Sequence, residues 1–138
     1  MSATETEAVI ARAFASFNAG DVEGIMACLG DDVAVDIPGA GREIGSDKAR
    51  WRLANLSRFV RAEATDIAIM TAAGGFRAAA EFTLIGTYLA TLPGFPEARG
   101  QSFRIGAGLF FDVDDDGLIS RATVCCDPTR LFAALESA

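Results

Sequence analysis

Residues Phe76 to Ala90, FRAAAEFTLIGTYLA, run for fifteen residues in a period-2 pattern without a proline. Such a run predicts one long strand, because successive side chains of an extended chain point to opposite faces. At about 3.3 Å per residue it would reach roughly 50 Å. A compact chain of 138 residues is only about 37 Å across, so the strand must bend. Gly86, the one glycine inside the run, is the expected place, since a glycine within a strand often marks a bulge or sharp turn of a sheet. A long strand bent over a core makes a curved sheet, and a curved sheet encloses a concavity.

The length predicts one domain, residues 1–138, large enough to bury most of its chain without staples. An apolar content of 51% exceeds what one such core needs, yet no apolar run approaches the ~18 residues of a membrane span. The surplus is expected against another subunit, and no membrane is expected as a partner. The start, MSATETE, is acidic and carries no hydrophobic segment of a signal peptide, which places the expectation in the cytoplasm. Cys28, Cys125 and Cys126 are an odd set whose adjacent pair would point to opposite faces of a strand, so free thiols are expected. A formal charge of −7 argues against a nucleic-acid backbone as partner. The absence of histidine removes the commonest general base and the commonest metal ligand, and neither metal nor cofactor is expected.

Taken in order, Thr4 and Glu7 suggest a capping box ahead of the stripe Val9, Ile10, Ala13, Phe14 and Phe17. Asn18 and Gly20 end that helix, and Asp21 caps a shorter one carrying Val22, Ile25, Met26 and Leu29, with Gly30 as a left-handed stop. Val33, Val35 and Ile37 alternate against Ala34 and Asp36 as a short strand that Pro38 terminates; a loop from Gly39 to Gly45 follows. Ser46 caps a third helix with Ala49, Leu53, Leu56 and Val60 at helical spacing and Trp51 beside them. Half of the 12 basic residues fall between Arg42 and Arg61. They either steer an anionic ligand or form a solvated face paired with acids elsewhere.

The remainder reads as strands. Ala62 to Ala72 turns through Gly74-Gly75 into the long strand, Leu92-Pro-Gly-Phe-Pro96 is a loop, and Gln101 to Val113 turns through Asp116-Gly117 into Leu118 to Cys126. Asp127-Pro128 starts a short closing helix. The class is therefore α+β, with helices on one face of a curved, mainly antiparallel sheet. Apolar residues on both strand faces, such as Phe110 with Phe111, predict a homodimer through the uncovered face.

The stretch Asn18-Ala-Gly-Asp21, the run Asp31-Asp-Val-Ala-Val-Asp-Ile-Pro38 and the hairpin Phe110 to Arg121 resemble the nuclear transport factor 2-like superfamily. Within it, the chain resembles the ketosteroid isomerase and SnoaL-like polyketide cyclase branch, over nearly its whole length. The resemblance implies a cone-shaped, cystatin-like α+β barrel that binds a small apolar or steroid-like molecule in the cone, with dimerisation through the open sheet face. The isomerases' catalytic aspartate, directly before the strand-ending proline, corresponds to Ile37, and Asp36 lies one residue earlier. Their oxyanion tyrosine falls near Ala13 or Phe14, and their neutral acid near Ala107 to Leu109, where this chain has no acid.

Asp36 is the candidate general base, with a carboxyl pKa raised if desolvated among Val33, Val35 and Ile37; the bland alternative is a solvent-facing residue paired with Arg42. Tyr88, the one tyrosine, is the candidate oxyanion donor or else a packed aromatic with its hydroxyl satisfied. Glu81 on the long strand, with Arg104 and Arg121 on its neighbours, suggests a buried ion pair. Asp112-x-Asp-x-Asp116-Gly117 imitates a calcium loop but has Thr123 where the bidentate glutamate belongs, and reads as a hairpin turn. Phe14, Ile37, Trp51, Phe59, Phe82, Phe103 and Cys125 are the candidate pocket residues. The expected activity is cofactor-free proton transfer on a small carbonyl-bearing substrate, as in isomerisation, cyclisation or dehydration. The alternative is a non-catalytic ligand-binding or assembly module.

Overall fold

A computed structural model describes residues 1–137. In order, the chain forms α1 (Ala3–Asn18), α2 (Val22–Met26), β1 (Leu29–Ile37), β2 (Gly41–Ile44), α3 (Ser46–Phe59), β3 (Val60–Thr71), β4 (Arg77–Tyr88), β5 (Ser102–Val113), β6 (Ile119–Cys125) and α4 (Pro128–Ser137). The strands make one curled, unclosed sheet in the order β2-β1-β6-β5-β4-β3. Neighbouring strands pair antiparallel except β1 and β6, which run parallel. This is the α+β architecture read from the sequence.

The long strand is β4, twelve residues instead of fifteen. It stops at Tyr88 because the N–H groups of Leu89 and Ala90 turn to the carbonyl of Phe59, at 2.7 and 3.3 Å. No bulge falls at Gly86, which pairs in register with Ala62 on one side and Phe103 on the other. The irregularity lies next door in β3. There Thr65 faces Thr83 and Ala68 faces Glu81, so Asp66 and Ile67 together oppose Phe82. Asp66 takes φ 52°, a left-handed conformation rare outside glycine. An extra residue of this kind bends its strand and deepens the local twist. Gly86 has a different task, since a Cβ there would come within 2.7 Å of the Phe103 ring.

Several local expectations shift. The capping box at the start of α1 uses Ser2 and Glu5, not Thr4 and Glu7: the Ser2 hydroxyl accepts from Glu5 N–H and the Glu5 carboxylate from Ser2 N–H, both at 3.1 Å. Gly30 is not a helix stop but part of β1. Part of the loop Gly39 to Gly45 is strand β2, and Gly45, not Ser46, precedes α3 without a side-chain cap. The two tight turns behave as expected, with Gly74 and Gly75 at φ 91° and 81° and Gly117 at φ 76°. In the second, the Asp114 carboxylate accepts from the N–H groups of Asp116 and Leu118, so the calcium-loop imitation is a hairpin turn.

α1 packs on β3 and β4, α3 on β1, and α4 on β5, all on the same face of the sheet. Val9, Ile10 and Phe14 of α1 bury against Val33, Ala64, Ala80, Phe111 and Ile119. Full burial of such a side chain is worth roughly 1.5–3 kcal/mol. A second cluster joins Val60, Tyr88, Phe103 and Leu135, where α4 closes over the ends of β3, β4 and β5. No helix among the described residues is long and apolar enough to cross a membrane.

Candidate functional site

A cleft of about 470 Å³ opens where three helix ends meet the first residues of β3. Its apolar wall is Phe17 of α1, Val22 and Ile25 of α2, Leu53 and Leu56 of α3, and Leu89. The volume falls within the range of small-molecule sites. Local sequence sets its shape. α1 stops at Asn18 because Gly20 turns left-handed at φ 69°. The Asp21 carboxylate then starts α2 by accepting from Gly24 N–H at 2.9 Å. At the far side α3 ends at Phe59, and Val60 turns extended while still donating its N–H to Leu56.

Asn18 fixes the helix end to the sheet. Its side-chain amide donates to the Ala64 carbonyl at 2.9 Å, and its side-chain oxygen accepts from Ala64 N–H at 2.8 Å. β3 is an edge strand, and Asn18 thereby covers part of that edge as a neighbouring strand would.

Asp36 lies on the opposite face of the sheet, where alternation puts it relative to buried Val33. Its carboxylate accepts from Arg42 Nε at 2.7 Å, from Arg42 Nη2 at 3.1 Å and from the Thr123 hydroxyl at 2.5 Å. These bonds, Arg42's first and Thr123's second, hold its pKa at about 2 against an ordinary 3.8. The expectation of a desolvated base with a raised pKa is thus corrected: the carboxylate is ion-paired, solvated and weakly basic. The network continues, because Arg121 donates to Thr123 at 2.6 Å and to Asp112 at 2.9 and 3.1 Å, and Arg77 lies 3.3 Å from Asp112. The Arg121 hydrogen bond lowers the Asp112 pKa as well.

Tyr88 is fully buried, and both sides of its hydroxyl are used. It donates to the Pro96 carbonyl at 2.8 Å and accepts from Leu92 N–H at 2.7 Å. Its role is to pin the loop after β4, and the oxyanion assignment is corrected accordingly. Asp36 and Tyr88 do not share a site.

The pocket candidates disperse. Phe14 and Phe82 pack edge to face at 5.1 Å and fill the space under the middle of the sheet. Phe103 sits in the second cluster with Tyr88, and half-buried Phe59 packs against it. Trp51 is 60% exposed, with the Arg52 guanidinium 5.6 Å from its ring. Ile37 is half-buried at the end of β1, and Cys125 is exposed on the far face. There Ala68, Thr83, Gly106 and Cys125 line a wider trough of about 980 Å³ with Glu81 and Arg130. The expected buried Glu81–arginine pair does not form: Glu81 is exposed and opposite Gly108, while Arg104 and Arg121 pair with Asp66 and Asp112. In the basic stretch, Arg42, Arg50 and Arg52 pair with Asp36, Glu23 and Glu43, the solvated-face alternative.

The sequence reading missed Asn18, Val22, Ile25, Leu53 and Leu56 as site residues, although it recognised their stripes and the helix stop. It had no signal for where three helix ends converge.

The sequence profile of the SnoaL-like domain matches residues 10–122. Among curated proteins none is significantly similar. The chain is 41% identical to a candidate polyketide cyclase from a Silicibacter species, with a TM-score of 0.91 and 97% of each chain covered. It is 31% identical to a candidate polyketide cyclase from Xanthomonas campestris, with a TM-score of 0.93 over 96% of this chain and 98% of that one. An NTF2-like protein from Burkholderia xenovorans shares the fold at 21% identity, with a TM-score of 0.76 over 98% of both chains.

Proposed function

Since this chain belongs to the SnoaL-like domain family of the NTF2-like fold, we propose that it holds a small apolar, carbonyl-bearing molecule in the cleft between α1, α2, α3 and β3. The observation that carries this reading is the cleft's wall of Phe17, Val22, Ile25, Leu53, Leu56 and Leu89, left uncovered by the fold. The names of the Silicibacter and Xanthomonas relatives point to polyketides as the first ligands to try. No carboxylate of the described residues lines the cleft, and the two acid–base candidates are committed elsewhere, which favours binding over proton transfer.

Thermal-shift screening against polyketides, steroids and aromatic enones tests it. A ligand at a hundred times its Kd stabilises the folded state by about 2.7 kcal/mol. The shift should vanish in Leu56→Trp, which fills the cleft, and persist in Gly106→Trp, which fills the far trough from a position with open space above it. The reverse pattern, or no shift with any of these classes, overturns the proposal.

The cyclase names of the relatives favour a second reading, cofactor-free isomerisation or cyclisation of the bound molecule. Turnover of a ligand found in the screen, lost in Leu56→Trp, is its expected result. A second copy of the chain on the far sheet face belongs to the same proposal, because Met70 and Phe110 are half exposed there on either side of Ala79. Light scattering at micromolar concentration should give the dimer mass, and a monomer mass would remove the second copy.

A further inference from the structure

The free edge of β3 offers the cleft a polar handle. Tyr88 N–H bonds to Gln101 on the β5 side, so even-numbered residues of β4 turn toward β5 and odd-numbered ones toward β3. By the pairing of Arg61 with Thr87, Glu63 with Ile85 and Thr65 with Thr83, those three residues of β3 hold the ladder bonds. Ala62 and Ala64 face outward. The occupied Ala64 confirms the phase independently, since both its N–H and its carbonyl are bonded to Asn18. Ala62 presents the same pair of groups two residues away, about 7 Å along the strand, and it lines the cleft.

We infer that the backbone N–H and carbonyl of Ala62 recognise a planar carboxamide on an apolar ligand. This rests on the reading of the cleft as the ligand site. The Asn18 carboxamide demonstrates the chemistry on the adjacent position, one donor and one acceptor meeting one residue's backbone at 2.9 and 2.8 Å. The ligand's apolar body would lie against Val22, Ile25, Leu53 and Leu56. An extended peptide does not suit the edge, because the end of α1 at Asn18 stops it on one side and Leu89, bonded to Phe59, on the other.

The test titrates ¹⁵N-labelled protein with 2-naphthamide and with 2-acetylnaphthalene, the same shape with a methyl in place of the amide nitrogen. Both ligands should move the signals of Leu53 and Leu56. Both carbonyls should move Ala62 N–H downfield; the amide alone, donating to the Ala62 carbonyl, should also shift the ¹⁵N signal of Glu63, whose peptide carries that carbonyl, and bind about fivefold tighter, as one added hydrogen bond provides. Equal affinities with Ala62 unmoved would overturn the handle and leave the cleft standing. No movement at Leu53 and Leu56 with either ligand would overturn the cleft and the handle together. In Ala62→Pro, tolerable where an edge N–H faces outward, both ligands should bind several-fold more weakly, since each loses the bond its carbonyl accepts, and the amide should keep its advantage through the Ala62 carbonyl. If that variant does not fold, the wild-type titration decides.

Discussion

Asp36 and Thr123 stand opposite each other in the parallel pair of β1 and β6, the hydroxyl donating to the carboxylate at 2.5 Å. With Arg42 on its other side, this carboxylate keeps a pKa of about 2. A carboxyl whose pKa is depressed by folding contributes stability that is complete above its unfolded value, near 3.8, and is lost as pH falls through the folded one. Thermal unfolding midpoints should therefore fall between about pH 4 and about pH 2. Asp36→Asn should flatten that part of the profile and leave binding in the cleft intact. An unchanged acid profile would remove the network from the account of acid stability.

Tyr88→Phe keeps the ring in its buried cluster and deletes the hydroxyl that serves Leu92 and Pro96. Two backbone groups then lose their partner, at a cost of about 1–3 kcal/mol. The denaturation midpoint should drop, and amide exchange should accelerate at Leu92 more than in β4.

Gly86→Ala tests the close approach of Phe103. The added methyl meets the ring at 2.7 Å, and on its other side the Arg61 carbonyl, which is backbone and cannot rotate away. The variant should lose about 1–3 kcal/mol through overpacking. Adding Phe103→Leu should recover part of the loss by removing the ring, and strict additivity of the two changes would contradict the contact.

Asn18→Ala leaves the nearly buried N–H and carbonyl of Ala64 without their partner. A loss of about 1–3 kcal/mol is expected, with faster exchange of Ala64 N–H. Restoration by Asn18→Gln would argue against the geometric fit, because the longer side chain displaces its amide from the strand edge.

Much of the architecture was legible because it depends on local rules. The alternation from Arg77 to Tyr88, the Gly74-Gly75 and Asp116-Gly117 turns and the Asp127-Pro128 start are each written in neighbouring residues. Alternation also told that Asp36 faces away from Val33. Its partner Thr123 was hidden, because the parallel pairing joins residues 87 apart in sequence. The bend was assigned to Gly86 by composition, whereas Asp66 takes the unusual backbone conformation in the facing strand, where no glycine marks it. The cleft was illegible for a related reason. Val22, Ile25, Leu53 and Leu56 read as ordinary core stripes, and only the angles at which three helices meet leave some of those side chains uncovered.

The strand order also sets a timetable for biosynthesis. β1 joins β3, β4 and β5 only through β6, which follows them in the chain. A nascent polypeptide emerging from the ribosome can zip β3, β4 and β5 in sequence as they appear, but β1 must wait for Cys125 to leave the exit tunnel. Until then β1 and β2 lack their sheet neighbour while α1 can already dock on β3 and β4, so in that interval it is the apolar face of β1 that stands open to aggregation and to chaperone capture.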